Sequence, residues 1–162
     1  MITLRDFKPK DASHIINTLN DEQVTRFLSS KIPFPYTQAD ADWWINQGSK
    51  SGIVKAIVVD EQFAGCIGIT PGEFEYSHSG EIGYWLNSDF WGQGIMTHAI
   101  TKICDYAFKT SNLNRIFGAI FAGNTGSIKA LTKCGFKAEA ILKQAIYKNG
   151  AFYDSHIFSK LK

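Results

Sequence analysis

Hydrophobic spacing along the chain switches several times between a period of two and a period near 3.6, and each switch predicts an element. Ile2, Leu4 and Asp6 alternate with Thr3, Arg5 and Phe7, which predicts a first strand over 2–7. Asp11 or Ser13 is placed to cap a helix carrying Ile15, Ile16 and Leu19, and Asp21 to cap a second carrying Val24, Phe27 and Leu28. Pro33 and Pro35 then break the chain between aromatics, before a helix over about 38–48 that carries Trp43, Trp44 and Ile45. Strands are expected over 53–59 and 63–70, joined as a hairpin at Asp60-Glu61-Gln62, and a third over about 79–86.

A long amphipathic helix follows at about 94–109, with Met96, Ile100, Ile103, Cys104, Ala107 and Phe108 at helical spacing. Residues 115–122 return as a strand, and 126–134 form a short helix ended by Gly135, a residue suited to a left-handed cap. Strands over 137–147 and 151–161 meet at Asn149-Gly150, a strong short hairpin signal. The strand–helix–strand unit 79–122 predicts parallel neighbours joined by a right-handed crossover. The fold expected is α/β: one mixed, twisted sheet of about seven strands with helices on both faces.

Composition narrows the function classes. The chain has 162 residues, which fits one domain over 1–162. Hydrophobic residues make up 44% and charged residues 20%, a globular balance that excludes disorder. The formal net charge is +2 with scattered lysines and arginines, so the dense basic stripe of a nucleic-acid binder is missing. Cys66, Cys104 and Cys134 are an odd set at wide spacing, which fits neither a disulfide framework nor a metal site. They are expected as core residues of a cytoplasmic protein. No window approaches the roughly 18 apolar residues that span a bilayer, so no membrane partner is expected.

Candidate chemistry centres on Trp91-Gly92-Gln93-Gly94-Ile95-Met96-Thr97, between a strand and an amphipathic helix. Two glycines let the backbone bend tightly and approach a ligand. The first amides of the helix lack partners and sit at the positive end of its dipole, a setting suited to phosphate. A strand-to-helix turn that needs glycine for geometry alone is the plain alternative. A P-loop would need Lys-Ser/Thr after Gly94, where Ile95-Met96 stands, and a dinucleotide fingerprint would need a small residue at Thr97.

The segments Glu81-Ile-Gly-Tyr-Trp-Leu-Asn87 and Phe90-Trp-Gly-Gln-Gly-Ile-Met-Thr97 resemble the acetyl-CoA-binding motif of GNAT N-acetyltransferases. Trp91 stands where the family usually has Arg or Gln, and Met96 replaces a small residue. Asn124-Thr-Gly-Ser127, followed by Leu131, Lys133 and Gly135-Phe136, resembles the second family motif. The Asn149-Gly150 hairpin with Asp154 beyond it resembles the ending of the ribosomal-protein N-acetyltransferase branch.

The resemblance implies that the amides of Gly92, Gln93, Gly94, Ile95, Met96 and Thr97, beside Trp91, grip the diphosphate of acetyl-CoA. It implies a bulge that splays the preceding strand, so that backbone at Trp85 and Leu86 bonds the pantetheine arm and polarises the thioester. Asn124 would bond the same arm. Glu81 is the candidate general base and Ser127 the candidate donor to the departing sulfur, with a solvated strand glutamate and a capping serine as the plain alternatives. His78 and Asp154 are weaker candidates, Asp154 more as a structural or amine contact. Lys129 and Lys133 are expected either at coenzyme A phosphates or simply in water. Phe34, Tyr36, Trp43 and Trp44 are expected mainly as core aromatics, and Tyr147 and Tyr153 at the acceptor entrance.

The function implied is transfer of acetyl from acetyl-CoA to a primary amine by direct attack, with the N-terminal α-amine of a protein as acceptor and a monomer or homodimer as the working unit. Small amines as acceptors, and an idle acetyl-CoA sensor, remain alternatives.

Overall fold

Two tight hairpins and one parallel crossover organise the sheet. The computed structural model describes residues 1–162. Its strands are β1 (Ile2–Arg5), β2 (Ile53–Val59), β3 (Gln62–Pro71), β4 (Ser79–Leu86), β5 (Arg115–Phe121), β6 (Lys137–Lys148) and β7 (Ala151–Leu161). Its helices are α1 (Ala12–Leu19), α2 (Glu22–Thr25), α3 (Gln38–Asn46), α4 (Ile95–Thr110) and α5 (Thr125–Lys133). The hairpin loops are Asp60-Glu61, at φ 45° and 69°, and Asn149-Gly150, at φ 51° and 79°. Both pairs place two residues at positive φ, the twist that a two-residue hairpin favours. The seven strands form one sheet in the order β1-β2-β3-β4-β5-β7-β6, with only β4 and β5 parallel.

Strand alternation sends side chains to two separate cores. Ile57, Ile67, Ile69 and Ile82 meet Ile100, Ile103 and Cys104 of α4 and Leu131 of α5 on one face. Ala56, Phe63, Cys66 and Trp85 pack under Ile15 and Leu19 of α1 and Ala41 and Ile45 of α3 on the other. Helices therefore cover both faces, as the sequence pattern predicts. The second core takes nothing from β5, β6 or β7. On that side the segment at the end of α2 reaches this half of the sheet, Phe27 packing on Phe121 at 6.0 Å and Lys148 bonding its carbonyls.

The parallel pairing ends early, and this creates the cleft. β4 and β5 pair only at Ser79↔Arg115, Gly80↔Ile116 and Glu81↔Phe117. Beyond Glu81, β4 stays bound to β3 as far as Leu86↔Gly65, while β5 stays bound to β7 as far as Phe121↔Ser155. Each strand follows its own outer partner, so a fork opens between them. The β3–β4 register runs without a shift, so the fork forms without the implied bulge in β4.

Local differences from the sequence pattern have identifiable causes. β1 ends at Arg5, because Asp6 turns to pair with Lys55 at 2.6 Å and Phe7 enters the second core. Asp11 stands at the start of α1 but does not cap it. Its buried carboxylate instead accepts from both Arg5 guanidinium nitrogens, at 2.7 and 2.8 Å, and from the Lys8 amide at 2.8 Å. Asp21 does cap α2, accepting from the Gln23 amide at 2.9 Å. That helix stops at Thr25, short of Phe27 and Leu28. Lys148 explains the stop: its Nζ donates to the carbonyls of Thr25, Arg26 and Leu28. A four-residue helix cannot hold itself, and this clamp replaces its missing turn. In α3, Thr37 and Asp40 form a capping box, and Ala41 and Ile45 point inward. Trp43 lies on the outer side and is 56% exposed, and Phe34 is also exposed, so these two are not core residues. Tyr36 is buried and Trp44 packs edge-on against Phe7, as expected of core aromatics. No helix is long and apolar enough to cross a membrane.

Candidate active site

The fork opens into a cleft of about 790 Å³ walled by four segments: Gln23–Leu28, Tyr84–Leu86, Phe90–Thr97 and Gly123–Lys133. Its floor begins where the β4 main chain loses its partner on the β5 side. At the turn, Gly92 and Gly94 both sit at φ 74°, a conformation that side-chain-bearing residues resist. A Cβ at either position would meet nothing within 4 Å, so the space in front of both is open.

The amides there are unspent. Across Gly92, Gln93, Gly94, Ile95, Met96 and Thr97, no backbone N–H donates a hydrogen bond within the chain; the α4 ladder begins with His98 N–H to Gly94 at 3.1 Å. Unpaired donors at a helix start, on an open cleft, form an anion site. The charge of the lining agrees, since Arg26, Lys129 and Lys133 are present and no carboxylate is. Both lysines therefore stand on the cleft wall rather than on a face turned away from it.

Each predicted residue has a definite place. Trp91 lines the cleft, and its indole N–H donates to the Leu86 carbonyl at 2.9 Å, so one backbone acceptor expected to be free for pantetheine already has a partner. Trp85 contributes main chain, its ring being buried in the second core against Phe63. Gln93 reaches back to the Asp89 carbonyl at 3.1 Å and its side chain does not line the cleft. Asn124 caps α5, its Oδ1 accepting from the Ser127 amide at 3.3 Å, and both residues line the cleft. Ser127 thus has its amide engaged in the cap while its hydroxyl is left over.

Glu81 is exposed and lies outside the cleft lining. It occupies the vertex of the fork, opposite Phe117 in the last parallel pair. Alternation along β4 turns it to the open face, away from the core side taken by Ile82 and Leu86. The glycine turn therefore meets the fork from the first-core side, while Glu81 faces the side on which Val24 and Leu28 of the cleft wall pack.

His78 and Asp154 are not brought to this point. The His78 carbonyl accepts from the Asn114 and Arg115 amides at the far end of β4. Asp154 secures an irregular stretch of β6, accepting from the Gln144 amide at 2.8 Å and from Lys143 at 3.2 Å. Those bonds, the Gln144 amide first, hold its carboxyl below the usual range. Tyr153 packs on Phe121 at 5.7 Å, and Phe121 on Phe27 at 6.0 Å, which links the β7 strand to the cleft wall. Tyr147 is exposed and packs on Phe152. The cysteines are all buried and free; burial pushes the Cys104 thiol up to about 12 and the Cys66 thiol higher still. No grouping of His, Cys, Asp and Glu could hold a metal.

Sequence reasoning passed over Arg26, Phe27 and Tyr84, all cleft residues. Alternation along β4 places Tyr84 on the face opposite Glu81, the one signal in the sequence that points to it. Arg26 and Phe27 depend on the Lys148 clamp, which no local pattern reveals.

A forked parallel pair, a left-handed glycine turn and a cationic, acid-free cleft define a transferase that uses an acyl-coenzyme A. Residues 1–137 match the acetyltransferase (GNAT) domain, and the chain belongs to that family. It is 32% identical to the uncharacterized N-acetyltransferase p20 of Bacillus licheniformis, over 99% of this chain and 93% of that protein. It is 30% identical to the putative ribosomal N-acetyltransferase YdaF of Bacillus subtilis, over 99% of this chain and 91% of that protein. Among solved structures, the microcin C7 self-immunity acetyltransferase MccE, in complex with acetyl-CoA and AMP, superposes with a TM-score of 0.85 at 25% identity, covering 99% of this chain and 92% of that one. The ribosomal L7/L12 α-N-protein acetyltransferase RimL, in complex with coenzyme A, gives a TM-score of 0.85 at 21% identity, covering 99% and 93%. That last likeness carries the fold alone. The chain is an N-acetyltransferase, and acetyl-CoA is its acyl donor.

Proposed function

We propose that this enzyme acetylates the N-terminal α-amine of a peptide or protein by direct attack on acetyl-CoA, with no acyl-enzyme intermediate. The observation that carries the donor side is the run of unpaired amides from Gly92 to Thr97 on an open, cationic cleft. These amides hold the diphosphate, with Arg26, Lys129 and Lys133 available to the remaining phosphate charge. The pantetheine arm lies in the fork, bonded by β4 main chain near Trp85 and by Asn124. Acetyl-CoA supplies an activated thioester.

The acceptor arrives from the other side of the sheet, where β5, β7 and β6 have no helical cover. The strip that carries Phe117 and Ala119, short of Phe121 where Phe27 packs, offers an extended chain a place to lie. Glu81 at the fork vertex takes the proton that the attacking amine loses. Glu81 forms no salt bridge, and Arg115, two residues along β5 from its strand partner Phe117, is taken by Glu139, so this carboxylate stands without a cationic partner. A single free carboxylate suits one ammonium group better than a polycation. Ser127 donates a hydrogen bond to the sulfur as the C–S bond breaks. Support for a protein acceptor also comes from the sequence relationship to the putative ribosomal N-acetyltransferase.

Thiol release from acetyl-CoA against a panel of peptides, polyamines and small amines tests the reading. Peptides with a free α-amine should turn over, and intact-mass and fragment analysis should place the acetyl group on the terminal nitrogen. Turnover restricted to polyamines or other small amines would replace the acceptor class, and binding of acetyl-CoA without turnover of any amine would make the protein a sensor.

A further inference from the structure

The Tyr84 hydroxyl is buried and has no hydrogen-bond partner. Such a group is costly to leave unpaired, and in a native protein it calls for an explanation. Tyr84 stands on β4 inside the fork, with its ring against the first core and on the wall of the cleft. Alternation puts it on the face opposite Glu81. Around its hydroxyl lie the side chains of Ser127, Cys134 and Cys104. Cys134 is engaged, its thiol donating to the Thr97 carbonyl at 3.2 Å and accepting from Thr101 at 3.6 Å. Cys104 is fully buried in the core. Ser127 is different. It is close enough to act on the ionisation of Tyr84, its hydroxyl forms no bond of good geometry, and it also lines the cleft.

We propose that Tyr84 is a positioning residue for acetyl transfer: once acetyl-CoA fills the cleft, its hydroxyl donates to Ser127 Oγ and so turns the Ser127 hydrogen toward the sulfur of departing coenzyme A. The inference rests on the acetyl-transfer reading and on the role given to Ser127 there. Burial pushes the Tyr84 phenol up to about 12, so it remains a neutral donor across the working pH range. A serine hydroxyl left alone rotates freely among acceptors. With its oxygen already accepting from a phenol fixed in a strand, the remaining O–H has one direction left, into the cleft. The chemistry balances without a proton leaving Tyr84. The amine nitrogen forms the new bond to the carbonyl carbon, Glu81 takes the amine proton, and the C–S electron pair leaves on sulfur. The Ser127 hydrogen bond stabilises that thiolate until solvent protonates it.

The test is a double-mutant cycle of Tyr84→Phe and Ser127→Ala, read as steady-state turnover and as KM for acetyl-CoA. Tyr84→Phe should lower kcat about tenfold, the size of one ordinary hydrogen bond at a reacting centre, with KM changed less than about twofold. The double variant should be no slower than Ser127→Ala alone. The melting temperature of Tyr84→Phe should be unchanged or higher, because the lost hydroxyl has no partner in the free protein. Site-specific 3-fluorotyrosine at position 84, which keeps the hydroxyl, should restore turnover. Losses that multiply in the double variant, a Tyr84→Phe enzyme as fast as the parent, or a defect that 3-fluorotyrosine leaves in place would each overturn the proposal. The same cycle on the slow hydrolysis of acetyl-CoA without any amine reads sulfur departure alone. It decides the role of Tyr84 even if every peptide acceptor fails, and so separates this inference from the choice of acceptor.

Discussion

The indole N–H of Trp91 donates to the carbonyl of Leu86 at 2.9 Å, which ties the first residue of the glycine turn back to the last residue of β4. The two ends of the fork's donor side are thereby fixed to each other. Where the family usually carries Arg or Gln, this chain uses a side chain that braces the turn.

Trp91→Phe keeps the ring and removes the N–H. The bond is neutral and partly exposed, so its loss is about 1 kcal/mol, or about fivefold in affinity. KM for acetyl-CoA should rise by about that factor while kcat changes little, because the bond shapes the binding site and touches no reacting atom. A kcat loss larger than the KM change would place Trp91 in the chemistry instead.

At Gly94 two effects act together. Its φ of 74° makes alanine strained by about 1–2 kcal/mol, and the new methyl would stand in the open space before the unpaired amides. Gly94→Ala should therefore fold, melt slightly earlier and bind acetyl-CoA at least about tenfold more weakly. Thermal shift separates the effects. Ligand at about 100 times its dissociation constant stabilises the parent by about 2.7 kcal/mol, and a tenfold weaker variant loses about half of that at the same concentration. An undiminished shift would mean that the phosphates do not sit at this turn.

Much of this site is legible in the sequence, and the rest is hidden for definite reasons. The glycine turn and the Asn124–Ser127 helix start announce themselves because positive φ and capping each select few residue types. The 3.6 period of Ile100, Ile103, Cys104 and Ala107 gives α4 nearly to the residue. By contrast, the end of α2 is set by Lys148, more than a hundred positions away, and Arg26 and Phe27 reach the cleft only through that clamp. Asp154 looks like a site residue until the Gln144 amide claims it, and Gln144 itself adopts φ 51° without being glycine. Trp43 and Trp44 are adjacent on one helix, yet only Trp44 faces the core; composition cannot tell neighbours apart.

Glu81→Gln tests the acceptor side of the fork. A peptide α-amine has an ordinary pKa of about 8, so below that pH most of it is protonated and must lose a proton before attack. The rate should fall most below about pH 8 and converge toward the parent above it, as free amine becomes abundant. Affinity for acetyl-CoA should hold, since Glu81 lies outside the cleft lining. Equal turnover at every pH would remove Glu81 from the mechanism.

Arg5 and Asp11 link β1 to the start of α1, and their pairing sets the acid stability of this end of the molecule. Burial alone would push the Asp11 carboxyl up, but bonds from Arg5 and the Lys8 amide, with the attraction of Arg5, hold it below its usual range. A carboxyl depressed in the folded state contributes stability that is complete above its unfolded pKa and is lost as pH falls through the folded value. The parent should therefore lose stability below about pH 4, the ordinary aspartate range. Asp11→Asn should remove that part of the acid dependence and be less stable at neutral pH. Asp11→Ala should cost more, about 3 kcal/mol, because Arg5 is left mostly buried without its counter-charge. Urea unfolding at pH 7 and again at pH 3 measures both effects. A parent–Asn difference that does not shrink at the lower pH would show that the carboxylate's charge is not what holds β1 to α1.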